Sequence, residues 1–386
     1  MTGPVLIVAG ESSGERYGAD LVRAFHKAHP GVAFFGIGGP RMAAEGVEIR
    51  FPMDRLAVMG VFEILSQVPR IRRIFRRLVR EAAARRPAAA VLIDSPDFNL
   101  RLARKLKKAE IPVLYYVSPT VWAWRRGRLE TVRKNVARMM LIFPFEREIY
   151  RSEGIPATYI GHPLVERVRA GFGRPELFAR YGFDPAKKLV VLLPGSRRGE
   201  LARHIPVLAE TVSRLRSAPD LQFALVLAES LGRRDLEKAW PGPVEGLTVL
   251  EKDGYEAMAA ADVILSSCGT ATLEAALLGT PVIAFYRISP LTYALGRPFV
   301  RIRQYSIVNI LAGKPVVPEL IQRGFTAGNL ARETLRILGS ADARREMKEA
   351  FLAIRAGLGE GRASENAARE LETFFEMDYI RPVLRR

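Results

Sequence analysis

Short apolar runs, each closed by glycine, serine, proline or aspartate, alternate along this chain with longer stretches in which apolar positions return every three or four residues. The runs read as strands buried on both faces, and the stretches between them as amphipathic helices. Ala261 to Tyr286 shows the unit most clearly. It predicts a strand at Val263–Leu265, a small-residue turn, a helix opened by Gly269 and Thr270, a stop at Gly279 and a second strand entered through Pro281. The turn falls at the carboxyl end of a strand, where open parallel sheets bind ligands, and a helix start offers free N–H groups and partial positive charge to a phosphate. Ser267, Gly269, Thr270, Ala271 and Thr272 line that turn, and Glu274, one helical turn on, is placed to hold ribose hydroxyls. An ordinary βαβ turn fits the same residues.

The pattern begins at the amino terminus. Val5–Ala9 runs into Gly10-Glu11-Ser12-Ser13-Gly14-Glu15 and then a helix carrying Leu21, Val22 and Phe25. Glu11, with Ser12 and Gly14 beside it, marks a second candidate ligand loop, and its carboxylate suits sugar hydroxyls better than phosphate. Phe35–Gly39 has glycines but not the spacing of a dinucleotide fingerprint. Ala88–Ile93 is a wholly apolar strand ending in Asp94-Ser95-Pro96-Asp97-Phe98-Asn99. An aspartate there points into the ligand crevice, is ionised at neutral pH and can take a proton from a hydroxyl. Asp94 also fits a turn former, and Asp97 reads as the cap of the following helix. Val113–Val117, Met139–Phe143 and Thr158–Ile160 are further strands. His162, in a Gly-His-Pro turn at the domain junction, fits either a base or a structural turn residue.

Leu189–Leu193 opens a second sheet and leads into Pro194-Gly195-Ser196-Arg197-Arg198. Here the turn carries a cation: Arg197 can grip a diphosphate with its planar fork while Gly195 and Ser196 let the backbone approach. Phe223–Leu227 and Leu247–Leu250 add strands, and Asn309 stands as a polar residue in an apolar run, which requires partners if buried. The expected organisation is two α/β domains with parallel sheets, 1–163 and 164–386, the terminal helices from about 360 packing back on the first domain.

One segment departs from ordinary patterning. From Val61 to Val79 apolar residues recur at helical spacing while Arg70, Arg73, Arg76, Arg77 and Arg80 fill the other side, with Pro69 as the expected helix start. A surface helix on the sheet explains this, and so does docking to anionic lipid. Composition sharpens the second reading. Lys and Arg number 59 against 41 Asp and Glu, a net charge of +18, so the chain should seek nucleic acid, a membrane surface or a phosphorylated substrate. Hydrophobic content of 48% suits a globular chain, and the absence of an apolar run near the roughly 20 residues of a membrane span leaves peripheral contact. The single cysteine, Cys268, excludes an internal disulfide framework and suits a reducing compartment. There is no Asp-x-Asp motif, and His26, His29, His162 and His204 form no ligand set with Cys268, so no metal is expected.

Taken together, Gly10–Glu15, Met59-Gly60-Val61-Phe62-Glu63, Asp94–Asn99, Tyr115–Trp124, Gly161-His162-Pro163, Leu193–Arg197, Ser266–Glu274 and Asn309–Gly313 resemble the lipid-A-disaccharide synthase family. They keep the family's order to about residue 325. The family's first loop usually reads Gly-Glu-Ala-Ser-Gly-Asp, so this one departs at a small residue and at Glu15, and Cys268 interrupts the usual Ser-Ser-Gly-Thr. The resemblance implies a GT-B glycosyltransferase: two Rossmann-like parallel-sheet domains facing across a cleft, with UDP-sugar as substrate and no cofactor. It implies transfer of 2,3-diacylglucosamine from its UDP conjugate to the 6-hydroxyl of 2,3-diacylglucosamine 1-phosphate, with inversion. Asp94 would be the base with Glu11 positioning or sharing the proton, Arg197 would stabilise the leaving UDP, Asn309 matches a position the family requires, and Met59 and Glu63 would meet substrate.

Such a lipid substrate stays in the bilayer, since each buried methylene is worth about 0.8 kcal/mol. Phe62, Ile64, Leu65 and Val68, with Ile71, would insert while Arg70 and Arg73 attract an anionic surface. The implied location is the cytoplasmic face of the inner membrane of a Gram-negative-type cell, with a homodimer allowed and no nucleic-acid partner. A UDP-N-acetylglucosamine 2-epimerase or another GT-B enzyme would share the nucleotide half without a lipid-facing segment. A basic nucleic-acid-binding protein would lack UDP-sugar turnover.

Overall fold

The computed structural model describes residues 3–55, 61–123, 125–242, 246–289, 292–294 and 304–384, and the backbone alone for 61–67 and 376–384. The chain forms two compact units, one of Met1–Glu166 with Leu358–Arg386 and one of Arg167–Gly357.

The first unit contains β1 (Val5–Ala9), α1 (Ser12–Ala28), β2 (Phe34–Gly38), α2 (Pro40–Ala44), β3 (Val47–Pro52), α3 (Val61–Arg85), β4 (Ala89–Ile93), α4 (Pro96–Lys108), β5 (Val113–Tyr116), α5 (Arg128–Asn135), β6 (Arg138–Leu141), α6 (Glu146–Ser152) and β7 (Ala157–Tyr159). The strands are parallel, in the order β3-β2-β1-β4-β5-β6-β7. β1 and β4 are buried at every residue, which is why they read as unbroken apolar runs. One face of the sheet packs Ile74, Leu78 and Ala82 of α3, Leu102 and Leu106 of α4, Val132 of α5 and Tyr150 of α6. The other packs Leu21 and Phe25 of α1, Met42 of α2, and Ala367, Ala368 and Leu371 from a helix at the far end of the chain.

A short helix, α7 (Pro163–Arg167), spans the junction, and the second unit contains α8 (Arg174–Tyr181), β8 (Lys188–Leu193), α9 (Arg198–Leu215), β9 (Leu221–Val226), α10 (Arg233–Ala239), β10 (Thr248–Leu250), α11 (Gly254–Ala260), β11 (Val263–Ser267), α12 (Thr270–Leu277), β12 (Val282–Tyr286), α13 (Ile307–Ala312), β13 (Glu319–Ile321), α14 (Ala327–Gly339) and α15 (Ala341–Gly357). Its strands are parallel in the order β10-β9-β8-β11-β12-β13. The last helix, α16 (Ala363–Leu384), belongs to the first unit, where it packs on α1. Polar contacts secure its return: Glu166 accepts both the Ser364 N–H (3.0 Å) and hydroxyl (2.7 Å), and Asn366 donates to the Ile160 carbonyl at 2.9 Å.

Two local expectations change, and one departure from the family pattern gains a role. Pro69 lies inside α3 instead of starting it, because the apolar spacing continues unbroken on both sides of the one N–H bond that proline removes. Asp97 does not cap α4: the N-cap is Ser95, and Asp97, in the first turn, accepts from Arg125 (3.0 Å) and Arg128 (2.8 Å). Glu15 is buried and accepts the Arg41 N–H at 2.9 Å, closing the first turn of α2. That gives the acidic position of the first loop a structural task.

Candidate active site

Each sheet reverses its strand order once, and both reversals gather the singled-out loops. In the first sheet the reversal lies between β1 and β4, paired from Val5↔Ala89 to Ala9↔Ile93. The chain leaves β1 into Glu11 and β4 into Asp94, so both loops follow neighbouring strands at the switch point where such sheets bind ligands. In the second sheet it lies between β8 and β11, where Leu193 pairs with Ser266. There the Gly195–Arg197 turn stands beside the start of α12.

Asp94 and Ser95 both hold positive φ (48° and 44°), a sharp turn that ends the strand and begins α4. The turn is fastened from beneath. The Asp94 N–H donates to the Tyr116 carbonyl at 2.9 Å, and the Asp94 carbonyl accepts from the Tyr115 hydroxyl (2.6 Å) and from Asn99 Nδ2 (2.8 Å). Asn99 is fully buried, so the backbone around Asp94 is fixed by groups spent on that task. Glu11 is the N-cap of α1 and exposed, as is Ser12. Gly14 is buried, and a Cβ there would meet Ile93 and Ala9, so glycine lets the helix approach the strands closely.

Arg197 is the exposed N-cap of α9. Glu200, which the sequence reading passed over, secures its loop: Oε2 accepts the Ser196 N–H (2.9 Å) and Oε1 the Tyr286 hydroxyl (2.9 Å). The available signal was an acidic residue three positions after the helix cap. Gly195 has φ +121°, and a Cβ there would meet Glu200 Oε2 at 2.3 Å, so this turn requires glycine. The buried His204 ties β8 to β12 from below, Nδ1 against the Pro194 carbonyl (2.7 Å) and Nε2 accepting the Arg287 N–H (3.1 Å).

At α12 the N-cap is Gly269, and Thr270 and Ala271 occupy the first turn. Glu274 accepts the Tyr255 hydroxyl at 3.0 Å. Ser267 is buried at the end of β11, and Thr272 is fully buried with its hydroxyl donated to the Gly269 carbonyl (2.8 Å), so Thr272 fastens the helix start and does not face ligand. Burial raises the Cys268 thiol above the ordinary thiol range. Burial also lowers His162 to about 3, and its Nδ1 accepts the Leu164 N–H at 3.1 Å, so this histidine is a turn fastener and no base.

Asn309 likewise departs from its expected place. It is buried, Nδ2 donates to the Val317 carbonyl (2.9 Å) and Glu319 Oε1 (2.8 Å), and Oδ1 accepts the N–H groups of Val316 (2.8 Å) and Val317 (2.9 Å). All four hydrogen-bonding positions are taken, which leaves none for substrate. Glu319 also accepts the Tyr305 and Ser306 N–H groups, and the Ser306 hydroxyl reaches Thr272 at 3.4 Å, so the network props the start of α12. No local pattern announces Glu319. Asn309→Ala is expected to lose about 2–4 kcal/mol of stability in urea unfolding, because buried donors and acceptors lose partners at about 1–3 kcal/mol each.

Met59 lies outside the described residues, as do the side chains of Phe62, Glu63, Ile64 and Leu65. Val68 and Ile71 are partly exposed, and Arg70 and Arg73 are exposed. Among the described residues no helix is long and apolar enough to cross a membrane.

The fold has solved counterparts. A putative UDP-N-acetylglucosamine 2-epimerase from Listeria monocytogenes superposes with TM-score 0.69 at 15% identity, covering 98% of each chain. CalG4, the calicheamicin glycosyltransferase, superposes with TM-score 0.62 at 13% identity over 97% of this chain and 99% of its own. These likenesses define the two-domain GT-B architecture. Within it, residues 5–371 match the family model described as lipid-A-disaccharide synthetase, and the chain belongs to that family of glycosyltransferases. It is similar to the lipid-A-disaccharide synthases of Solibacter usitatus (42% identity, 96% of this chain and 97% of the relative) and Anaeromyxobacter dehalogenans (43%, 96% and 97%). The epimerase and nucleic-acid readings give way to this membership.

Proposed function

We propose that the chain transfers 2,3-diacylglucosamine from its UDP conjugate to the 6-hydroxyl of 2,3-diacylglucosamine 1-phosphate. The observation that supports this reading best is the opposite chemistry of the two switch points: carboxylates at the first, a cation and an open helix start at the second. Asp94 takes the proton of the acceptor hydroxyl as its oxygen attacks the anomeric carbon, and the bond to the diphosphate breaks on the opposite side. UDP leaves as an anion held by Arg197 and the start of α12, so no proton donor and no divalent ion is called for. Glu274 orients the ribose, and Glu200, Asn309 and Glu319 act as positioning residues. Incubating the protein with both substrates in chelator tests this: UDP should appear only with acceptor present, together with a disaccharide monophosphate. UDP-sugar consumed without acceptor, or activity restored only by added metal, would count against it.

We also propose that α3 to α6 form the face that meets an anionic membrane. These helices carry seventeen Lys and Arg against six Asp and Glu, whereas α1, α2 and α16 on the other side of the sheet carry six against seven. Each cation near an anionic leaflet contributes about 1 kcal/mol, so Arg73→Gln with Arg77→Gln should weaken binding to phosphatidylglycerol vesicles about thirtyfold, the equivalent of about 2 kcal/mol. Sedimentation that leaves vesicle binding unchanged would remove this face from the reading.

A further inference from the structure

One carboxyl in the first unit is buried and has no part in the chemistry above. Glu146 opens α6 with 1% of its surface exposed, and Oε1 accepts the Trp122 indole N–H at 3.1 Å. The Ser118 hydroxyl and the Phe143 N–H stand beside the carboxyl and favour its charged form, and Ser118 Oγ lies 2.8 Å from the Tyr150 hydroxyl. One side chain thus ties the turn after β5 to α6. The Trp122 ring packs edge-on against Phe145 at 5.4 Å between centroids, which holds the same turn from its apolar side.

The segment it fastens is strained. Val117 has φ +71° and Thr120 +22°, the first a β-branched residue in a region such side chains rarely adopt. Backbone of this kind persists only where its surroundings hold it, and Ser118 and Trp122 lie on either side of Thr120. The segment also continues directly from the residues that fix Asp94: the Tyr116 carbonyl accepts the Asp94 N–H and the Tyr115 hydroxyl bonds the Asp94 carbonyl.

We propose that Glu146, as its carboxylate, is a positioning residue for Asp94, holding the 117–122 turn in its left-handed path and through β5 setting the Asp94 backbone. The proposal rests on the reading of Asp94 as the base. Burial outweighs the neighbouring polar groups and pushes Glu146 up to about 7, so the clamp changes charge across neutral pH. Other titratable groups around it are silent there. Burial holds Tyr150 and Tyr115 protonated, above the ordinary phenol range, and keeps His162, across Phe143, neutral. The carboxylate is therefore present above about 7, and protonation below it weakens the acceptor for the Trp122 indole N–H and loosens the turn.

The test pairs a substrate-free optical titration with kinetics. In the wild-type protein, tryptophan fluorescence should shift with a midpoint near 7, and the shift should vanish in both Glu146→Gln and Trp122→Phe. The wild-type kcat should fall on the acid side with the same midpoint. Glu146→Gln should lose this limb with kcat lowered about tenfold and donor KM unchanged, since misorientation of a catalytic group acts on turnover. Trp122→Phe keeps the ring packing but removes a donor to the charged form, so its acid limb should move to higher pH. A fluorescence midpoint unaltered by Glu146→Gln, or a kcat profile unmoved in both variants, overturns the proposal. Should Glu146→Gln fail to fold, the Trp122→Phe limb decides alone. Absence of transfer in the wild type would remove the functional reading, while the optical titration would still judge the clamp.

Discussion

Asp94→Asn is expected to lower kcat by about 10²–10⁴-fold, the range that a positioned general base contributes, while UDP binds as it does to the wild type. Asparagine is the informative replacement. It has nearly the same shape, and it tolerates the left-handed conformation that Asp94 occupies at φ 48° about as well as aspartate does. The fastening through Tyr115, Tyr116 and Asn99 uses only the Asp94 backbone, so it survives the change. What is lost is the group that accepts the hydroxyl proton. Steady-state kinetics beside calorimetric titration with UDP separates these effects, and a variant retaining more than about a tenth of wild-type kcat would contradict a base at this position.

The second large effect is expected at Arg197. Arg197→Ala should lower kcat/KM by about 10²–10³-fold and weaken UDP binding as well, because the same cation meets the diphosphate in the ground state and the added charge as the bond breaks. Arg197→Lys should recover only part of the loss, since an ammonium is a point charge without the planar fork. Glu200 accepts the Ser196 N–H and His204 bonds the Pro194 carbonyl beneath it, and these backbone fastenings remain in the alanine variant. A variant losing turnover with UDP affinity unchanged would move the diphosphate away from this loop.

Much of this was legible along the chain because parallel strands buried on both faces leave unmistakable apolar runs. β1, β4, β8 and β11 each end where the residues change character, and the candidate loops follow from those ends. What the chain hides is lateral order. That β4 lies beside β1, and β11 beside β8, depends on pairing between segments far apart, and only this places Glu11 with Asp94 and Gly195 with Gly269. Side-chain duty is hidden for a related reason. Asn309 and Thr272 look like site residues because they are polar among apolar neighbours, yet their partners lie in Val316, Val317 and Glu319 for the one and in Gly269 for the other. Glu146 and Glu319 carry no local signal, since their partners come from other elements. Pro69 misleads because its usual meaning as a helix start is overridden by an apolar stripe that continues across it.

The central claim is a single in-line displacement by a hydroxyl that Asp94 deprotonates, and the anomeric configuration of the product tests it most directly. Proton NMR of the disaccharide made from the α-linked UDP donor should show a β-1,6 linkage formed in step with UDP release. Retention of the α configuration, or recovery of donor epimerised at its second carbon, would contradict the account.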